Sequence, residues 1–151
     1  MFRVHRASVS LLLALGLALV PASALADPVG AQAALTAVSG TGSGMVLIAP
    51  TAADHGTFAV EVTVNVHGAS PNTVYQVARA VDLNPDGVCT LASGWLPNGP
   101  LQTSADGSGA AHFEVHRGAP FVSGVRFDVE FRALGSDGSE LVSECVTVTV
   151  R

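Results

Sequence analysis

The chain of 151 residues carries 12 Asp and Glu against 7 basic residues, every one an arginine, for a formal net charge of −5. Apolar residues make up 48% and charged ones 13%, a balance that can bury a core and is unlike that of disordered chains. The acidic excess argues against partners that need a basic surface, so no nucleic acid and no anionic lipid is expected.

Residues 1–26 read as an export signal. Arg3, His5 and Arg6 give a positive start, Val9 to Val20 is an almost unbroken apolar run, and Pro21 precedes Ala24-Leu25-Ala26, the small-x-small pattern of a cleavage site. The apolar run is shorter than the roughly 20 residues a spanning helix needs, so no membrane insertion is expected after cleavage. Cutting after Ala26 leaves residues 27–151 as a single domain, secreted or periplasmic. It holds five arginines against twelve carboxylates, a net charge near −7.

Past the signal, strands are expected at 33–38 and 44–49. The clearest lies at 57–67, where Phe58, Val60, Val62, Val64 and Val66 alternate with Thr57, Ala59, Glu61, Thr63, Asn65 and His67. Further strands are expected at 73–81 and 110–117. The two-residue period returns at 125–133, with Val125, Phe127, Val129, Phe131 and Ala133 on one face, and a last strand follows at 140–150. Turn chemistry separates them: Asp54-His55-Gly56, Gly68-Ala69-Ser70-Pro71-Asn72, Asp106-Gly107-Ser108-Gly109 and Ser136-Asp137-Gly138-Ser139. No segment has helical period.

About seven short strands joined by Gly, Asp, Asn and Pro turns predict an all-β antiparallel sandwich. Over residues 33–150 this strand pattern resembles the immunoglobulin-like β-sandwich of small exported bacterial proteins. The resemblance is one of architecture and names no functional family. It departs from antibody-type domains in that Trp95 follows Cys89 closely, inside a turn-rich segment.

Both cysteines lie past the cleavage site, where the environment is oxidising. One intramolecular Cys89–Cys145 disulfide is the simplest account; two buried thiols or an intermolecular bridge are the alternatives. In the chain-entropy picture a loop of that length is worth about 4 kcal/mol. In the last strand Val142, Val146, Val148 and Val150 share one parity, while Leu141, Cys145, Thr147 and Thr149 share the other. A regular strand therefore puts Cys145 opposite the valine face and pins the segment Asp82–Pro100 over the outside of the sheet; a bulge near Glu144 is the other solution.

Three constellations are candidates for chemistry. His112, Glu114 and His116 alternate along one strand face at ~6.6 Å intervals, a spacing at which two imidazoles and a carboxylate can share a divalent metal. Only His55 and His67 remain as other histidines of the exported part. Asp82-Leu83-Asn84-Pro85-Asp86-Gly87 matches the opening of a calcium loop through Asp82, Asn84 and Asp86, but Ser93 stands where the closing Glu belongs. Trp95 and Leu96, with Tyr75, are candidate ligand-binding residues, since an exposed Trp can stack on a glycan or anchor an extracellular protein. The alternative reading of each is structural: a solvated strand face, an Asn-Pro-Asp-Gly turn, and a cover over the end of the core.

No G-x-S-x-G, H-E-x-x-H or C-x-x-C is present. The chain also lacks the H-x-H strand pair of copper-zinc superoxide dismutase, and no His and Met follow Cys145 as they follow the ligand Cys of a blue-copper protein. The expectation is a non-enzymatic exported module, without cofactor, that binds through the segment Asp82–Pro100. A metalloprotein using His112, Glu114 and His116, and a purely structural spacer, are the competing expectations.

Overall fold

The computed structural model describes residues 30–51, 58–91 and 93–150. Residues 1–26, expected from sequence to be an export segment cleaved after Ala26, the expected Asp54-His55-Gly56 turn and Thr57 lie outside the described residues. Among the described residues there are nine strands and no helix. They are β1 (Ala31–Ser39), β2 (Ser43–Thr51), β3 (Phe58–His67), β4 (Val74–Asp82), β5 (Leu96–Gln102), β6 (Gly109–Arg117), β7 (Arg126–Gly135), β8 (Glu140–Ser143) and β9 (Val146–Thr149).

The period-two apolar runs become these strands because each buries one face. Strands β1, β2 and β3 form an antiparallel meander, with Ala33 opposite Val46 and Val46 opposite Val64. Strand β3 then pairs with β6, placing Val62 opposite Phe113. On the other flank β4 pairs with β5 and β7, β7 pairs with β8 and β9, and β8 returns to β1. The order β5-β4-β7-β8-β1-β2-β3-β6 makes one antiparallel sheet, curled until β5 and β6 lie alongside each other without a ladder. It is a nearly closed barrel. The inward residues of both flanks, including Leu35, Val62, Val64, Tyr75, Phe131 and Leu141, form a single core. Each such side chain contributes about 1.5–3 kcal/mol through burial.

Two elements differ from expectation. Leu96–Gln102 is strand β5, although Pro97, Gly99 and Pro100 read as loop. The strand is tolerated because it ends the sheet and pairs only with β4, so the missing proline N–H groups break no second ladder. The irregular segment therefore shrinks to residues 83–95. At its seam with β6, Gly99 adopts φ 152° and lets the Phe113 ring pack against the β5 backbone; a Cβ there would sit 2.9 Å from Phe113 Cε1.

The last expected strand is interrupted. Arg132 faces Val142 but Val129 faces Val146, so two residues of β7 oppose Ser143, Glu144 and Cys145. This is a bulge. The Phe131 N–H donates to Ser143 Oγ at 2.9 Å in place of a ladder bond. The bulge reverses parity, so Leu141 before it and Val148 and Val150 after it are all buried.

Tyr75 is fully buried beneath the β7–β8 turn. Its hydroxyl accepts the Ser70 N–H at 3.1 Å and meets Ser139 Oγ at 2.7 Å, while the Ser139 hydroxyl donates to Asp137 at 2.6 Å. Hydrogen bonds from the Ser139 hydroxyl, the Ser70 side chain and the Ser139 N–H hold the Asp137 carboxyl down at about 2. Tyr75→Phe keeps the ring and strands these polar groups. We expect a loss of about 1–3 kcal/mol in urea unfolding; an unchanged midpoint would show that the hydroxyl contributes nothing net.

Candidate functional site

The segment 83–95 is fastened over the outer face of β7 and β9. Cys145, in the bulge just before β9, carries the Cys89–Cys145 disulfide, which holds the loop with a Cα–Cα distance of 5.6 Å. Asp128, also on the outer face and with no exposure, is the second fastening. Its Oδ2 accepts the Gly87 N–H at 2.6 Å and its Oδ1 the Thr147 hydroxyl at 2.5 Å. A buried carboxylate is tolerable only when its lone pairs are used in this way. The Arg132 guanidinium lies 4.6 Å from the Trp95 ring centroid, a cation–π contact worth about 0.5–1 kcal/mol at an exposed site. Finally, the Val81 N–H donates to Ser93 Oγ at 2.9 Å.

Pinned in this position, the loop forms one wall of an open cleft of about 430 Å³ at the end of the barrel. Val81, Leu83 and Leu96 line one side, Arg117 and Phe121 the other, with Asp82 and Ser93 as polar groups. Three of these residues, Val81, Arg117 and Phe121, also line a narrow recess of about 30 Å³ that enters the barrel interior. Its walls are apolar: Phe58, Phe121 and Phe127 pack with centroids 5.1–6.1 Å apart, and Phe131 lies among the lining residues.

One charged side chain is enclosed in that apolar setting. Arg79 is 7% exposed and lines the recess beside Arg117. Burial, and then the charge of Arg117, push the Arg79 guanidinium down to about 10. Among the described residues neither arginine pairs with a carboxylate. Arg79 Nη1 donates to Asn98 Oδ1, and Asn98 sits at the register shift between β4 and β5. Since arginine only donates, the amide must turn its oxygen to Arg79. That leaves Asn98 Nδ2 buried without a partner among the described residues.

The chain matches no protein-family model, no curated protein and no solved structure.

The residues singled out from sequence are distributed differently. Leu96 lines the cleft, and Trp95, the last residue of the loop, is half-buried under Arg132. Tyr75 is not brought to them; it is enclosed in the core, with its hydroxyl committed to Ser70 and Ser139. Asp82, Asn84 and Asp86 serve the loop itself. Asp82 accepts the Asn84 N–H at 2.9 Å, the Thr90 N–H at 3.3 Å and the Thr90 hydroxyl. The Thr90 hydroxyl first, then the Asn84 N–H, holds the Asp82 carboxyl below its usual range. Asp86 accepts the Asn84 amide at 2.6 Å and the Val88 N–H at 2.9 Å.

His112, Glu114 and His116 do share the exposed face of β6, but they are engaged separately. His112 Nδ1 is 3.1 Å from Thr63 Oγ1, and His116 Nε2 is 3.0 Å from Glu114 Oε1. Among the described residues no group of three or more His, Cys, Asp or Glu converges as a metal site would require.

Arg79, Asn98 and Arg117 were not singled out from the sequence, although two of them leave a trace there. Tyr75, Val77, Arg79 and Val81 share one parity on β4, as do Ala111, Phe113, Val115 and Arg117 on β6. In each strand an arginine interrupts the inward apolar register, and a charge at an inward position is a signal of function or of a paired partner. Asn98 left no such trace, because its role depends on β5 being a strand.

Proposed function

We propose that the protein is an exported, non-enzymatic binding module that holds a small ligand in the cleft between the loop 83–95 and the β6–β7 connection. The observation that carries this reading is the cleft itself. Its volume of about 430 Å³ falls within the range typical of small-molecule sites, and its loop wall is held by the disulfide, by Asp128 and by Trp95 stacking. Such a wall loses little freedom when a ligand arrives, which favours affinity. Export is supported by the same disulfide, which persists in oxidising compartments.

We also read the architecture as an immunoglobulin-like sandwich in class. Support comes from the interlocked pairing of β3 with β6 and of β4 with β7, the Greek-key relation on which such sandwiches are built. In this reading Trp95 is a positioning residue, and Leu83, Ser93, Leu96 and Phe121 touch the ligand. Titrating the protein with a small-molecule and glycan library should move the backbone NMR signals of Val81, Ser93, Leu96 and Phe121 first. Trp95→Ala should weaken binding without unfolding the domain. Shifts confined to the outer face of β6 would instead favour the competing reading, a metal-binding protein using His112, Glu114 and His116. Its own test is whether the double change of His112 and His116 to Ala removes a zinc- or copper-dependent rise in Tm.

A further inference from the structure

Arg79 is an unusual residue for the interior of a small β-barrel. It occupies an inward position of β4, is more than nine-tenths buried, and faces a recess walled by phenylalanine and valine. A guanidinium in such a place normally has a carboxylate beside it, because an unpaired charge out of water is costly. Its neighbours here have the wrong sign or are already used. Arg117 adds a second positive charge, Asn98 Oδ1 takes one donor, and Asn98 Nδ2 is itself a buried donor with nothing to donate to. The two charged side chains that line the recess, Arg79 and Arg117, only donate: Arg79 gives one hydrogen to Asn98 Oδ1 and Arg117 one to the His116 carbonyl at 3.3 Å. Among the described residues, what the recess lacks is an acceptor with negative charge.

The surroundings define the rest of that missing group. The recess is too small for a bulky head, yet Val81, Arg117 and Phe121 are shared with the open cleft, whose walls are mainly aliphatic and aromatic. The cleft carries one carboxylate, Asp82, whose oxygens already accept from Asn84 and Thr90. Asp82 therefore stands at the outer part of the site with its oxygens already in use, and the arginine donors are further in.

We propose that the recess binds the carboxylate of a small organic acid through Arg79 and Arg117, with the acid's apolar body lying in the cleft. This rests on the reading of the cleft as a binding site and assigns its ligand class. Arg117 supplies the accessible charge that receives the anion and Arg79 the enclosed one that holds it, while Asn98 Oδ1 orients the Arg79 guanidinium. The net negative charge of the exported chain gives no long-range attraction for an anion, so discrimination comes from these donors at short range.

Calorimetric titration of the secreted, disulfide-closed protein with decanoate, 2-naphthoate and 2-naphthamide tests this. Both acids should bind, and the neutral amide at least tenfold more weakly than 2-naphthoate. Whichever acid binds more tightly identifies the body as alkyl or aryl. Arg117→Gln alters an exposed side chain and should weaken acid binding several-fold with Tm unchanged. Asn98→Asp supplies the missing acceptor from within, and should abolish acid binding while raising Tm. Equal affinity for 2-naphthoate and 2-naphthamide would overturn the anion assignment and leave the cleft a binding site. Acid binding that survives Asn98→Asp, or no binding of any of the three probes, would also overturn it. In that last case the library titration decides the fate of the cleft reading separately.

Discussion

Replacing Cys89 and Cys145 together with alanine should lower the unfolding free energy by about 4 kcal/mol. The two cysteines are 56 residues apart in sequence, and in the chain-entropy picture a cross-link of that span costs the unfolded chain about 4 kcal/mol of freedom. The folded loop should change much less. Asp128 still accepts the Gly87 N–H, Ser93 still accepts the Val81 N–H, and Arg132 still covers Trp95. Urea unfolding should therefore show a lower midpoint, while the NMR signals of residues 83–95 keep close to their positions. A loss below about 1 kcal/mol would mean that the unfolded chain is already confined in this region. Collapse of the loop signals would mean that the disulfide, and not the three polar and aromatic contacts, holds the cleft wall.

Phe131→Ala should cost about 3–5 kcal/mol, the usual range for removing a fully buried phenylalanine. Phe131 is 1% exposed, sits opposite Arg79 in the β4–β7 ladder and lines the recess. Its loss adds a void to an existing one of about 30 Å³, and the nearby strands are tied into ladders that leave little room for collapse. Urea unfolding reports the stability term. A drop at the lower end of the range would indicate that the enlarged recess admits water to the Arg79 guanidinium, offsetting part of the lost packing by hydrating a charge.

The amino-acid sequence by itself determined the all-β class and most strand positions, and made the disulfide the simplest pairing. Each rests on local pattern: a two-residue apolar period buries one face of any sheet, and two cysteines that follow an expected export signal are the simplest partners for each other. The strand around Val60 to Val66 and the one around Phe127 to Ala133 were legible for that reason. Strand β5 was not, because Pro97, Gly99 and Pro100 oppose strand formation locally and only its place at the end of the sheet permits it. The parity conflict around Cys145 was visible, with a regular strand and a bulge as its two solutions. The structure combines them: the bulge spans Ser143 to Cys145, and the disulfide still faces outward.

Only the tertiary structure decided how the candidate residues are used. Tyr75 and Trp95 are both aromatic and fall within one stretch of chain, yet one is sealed in the core and the other covers the outer face of β7. The barrel's curl sets that division, and no pattern along the chain records it. The same holds for Arg79 and Arg117. Their parity places each of them inward, but their convergence on one recess depends on β4 and β6 belonging to opposite flanks of a nearly closed sheet. Long-range closure is a property of the whole ladder order, so the site it assembles cannot be read from any one strand.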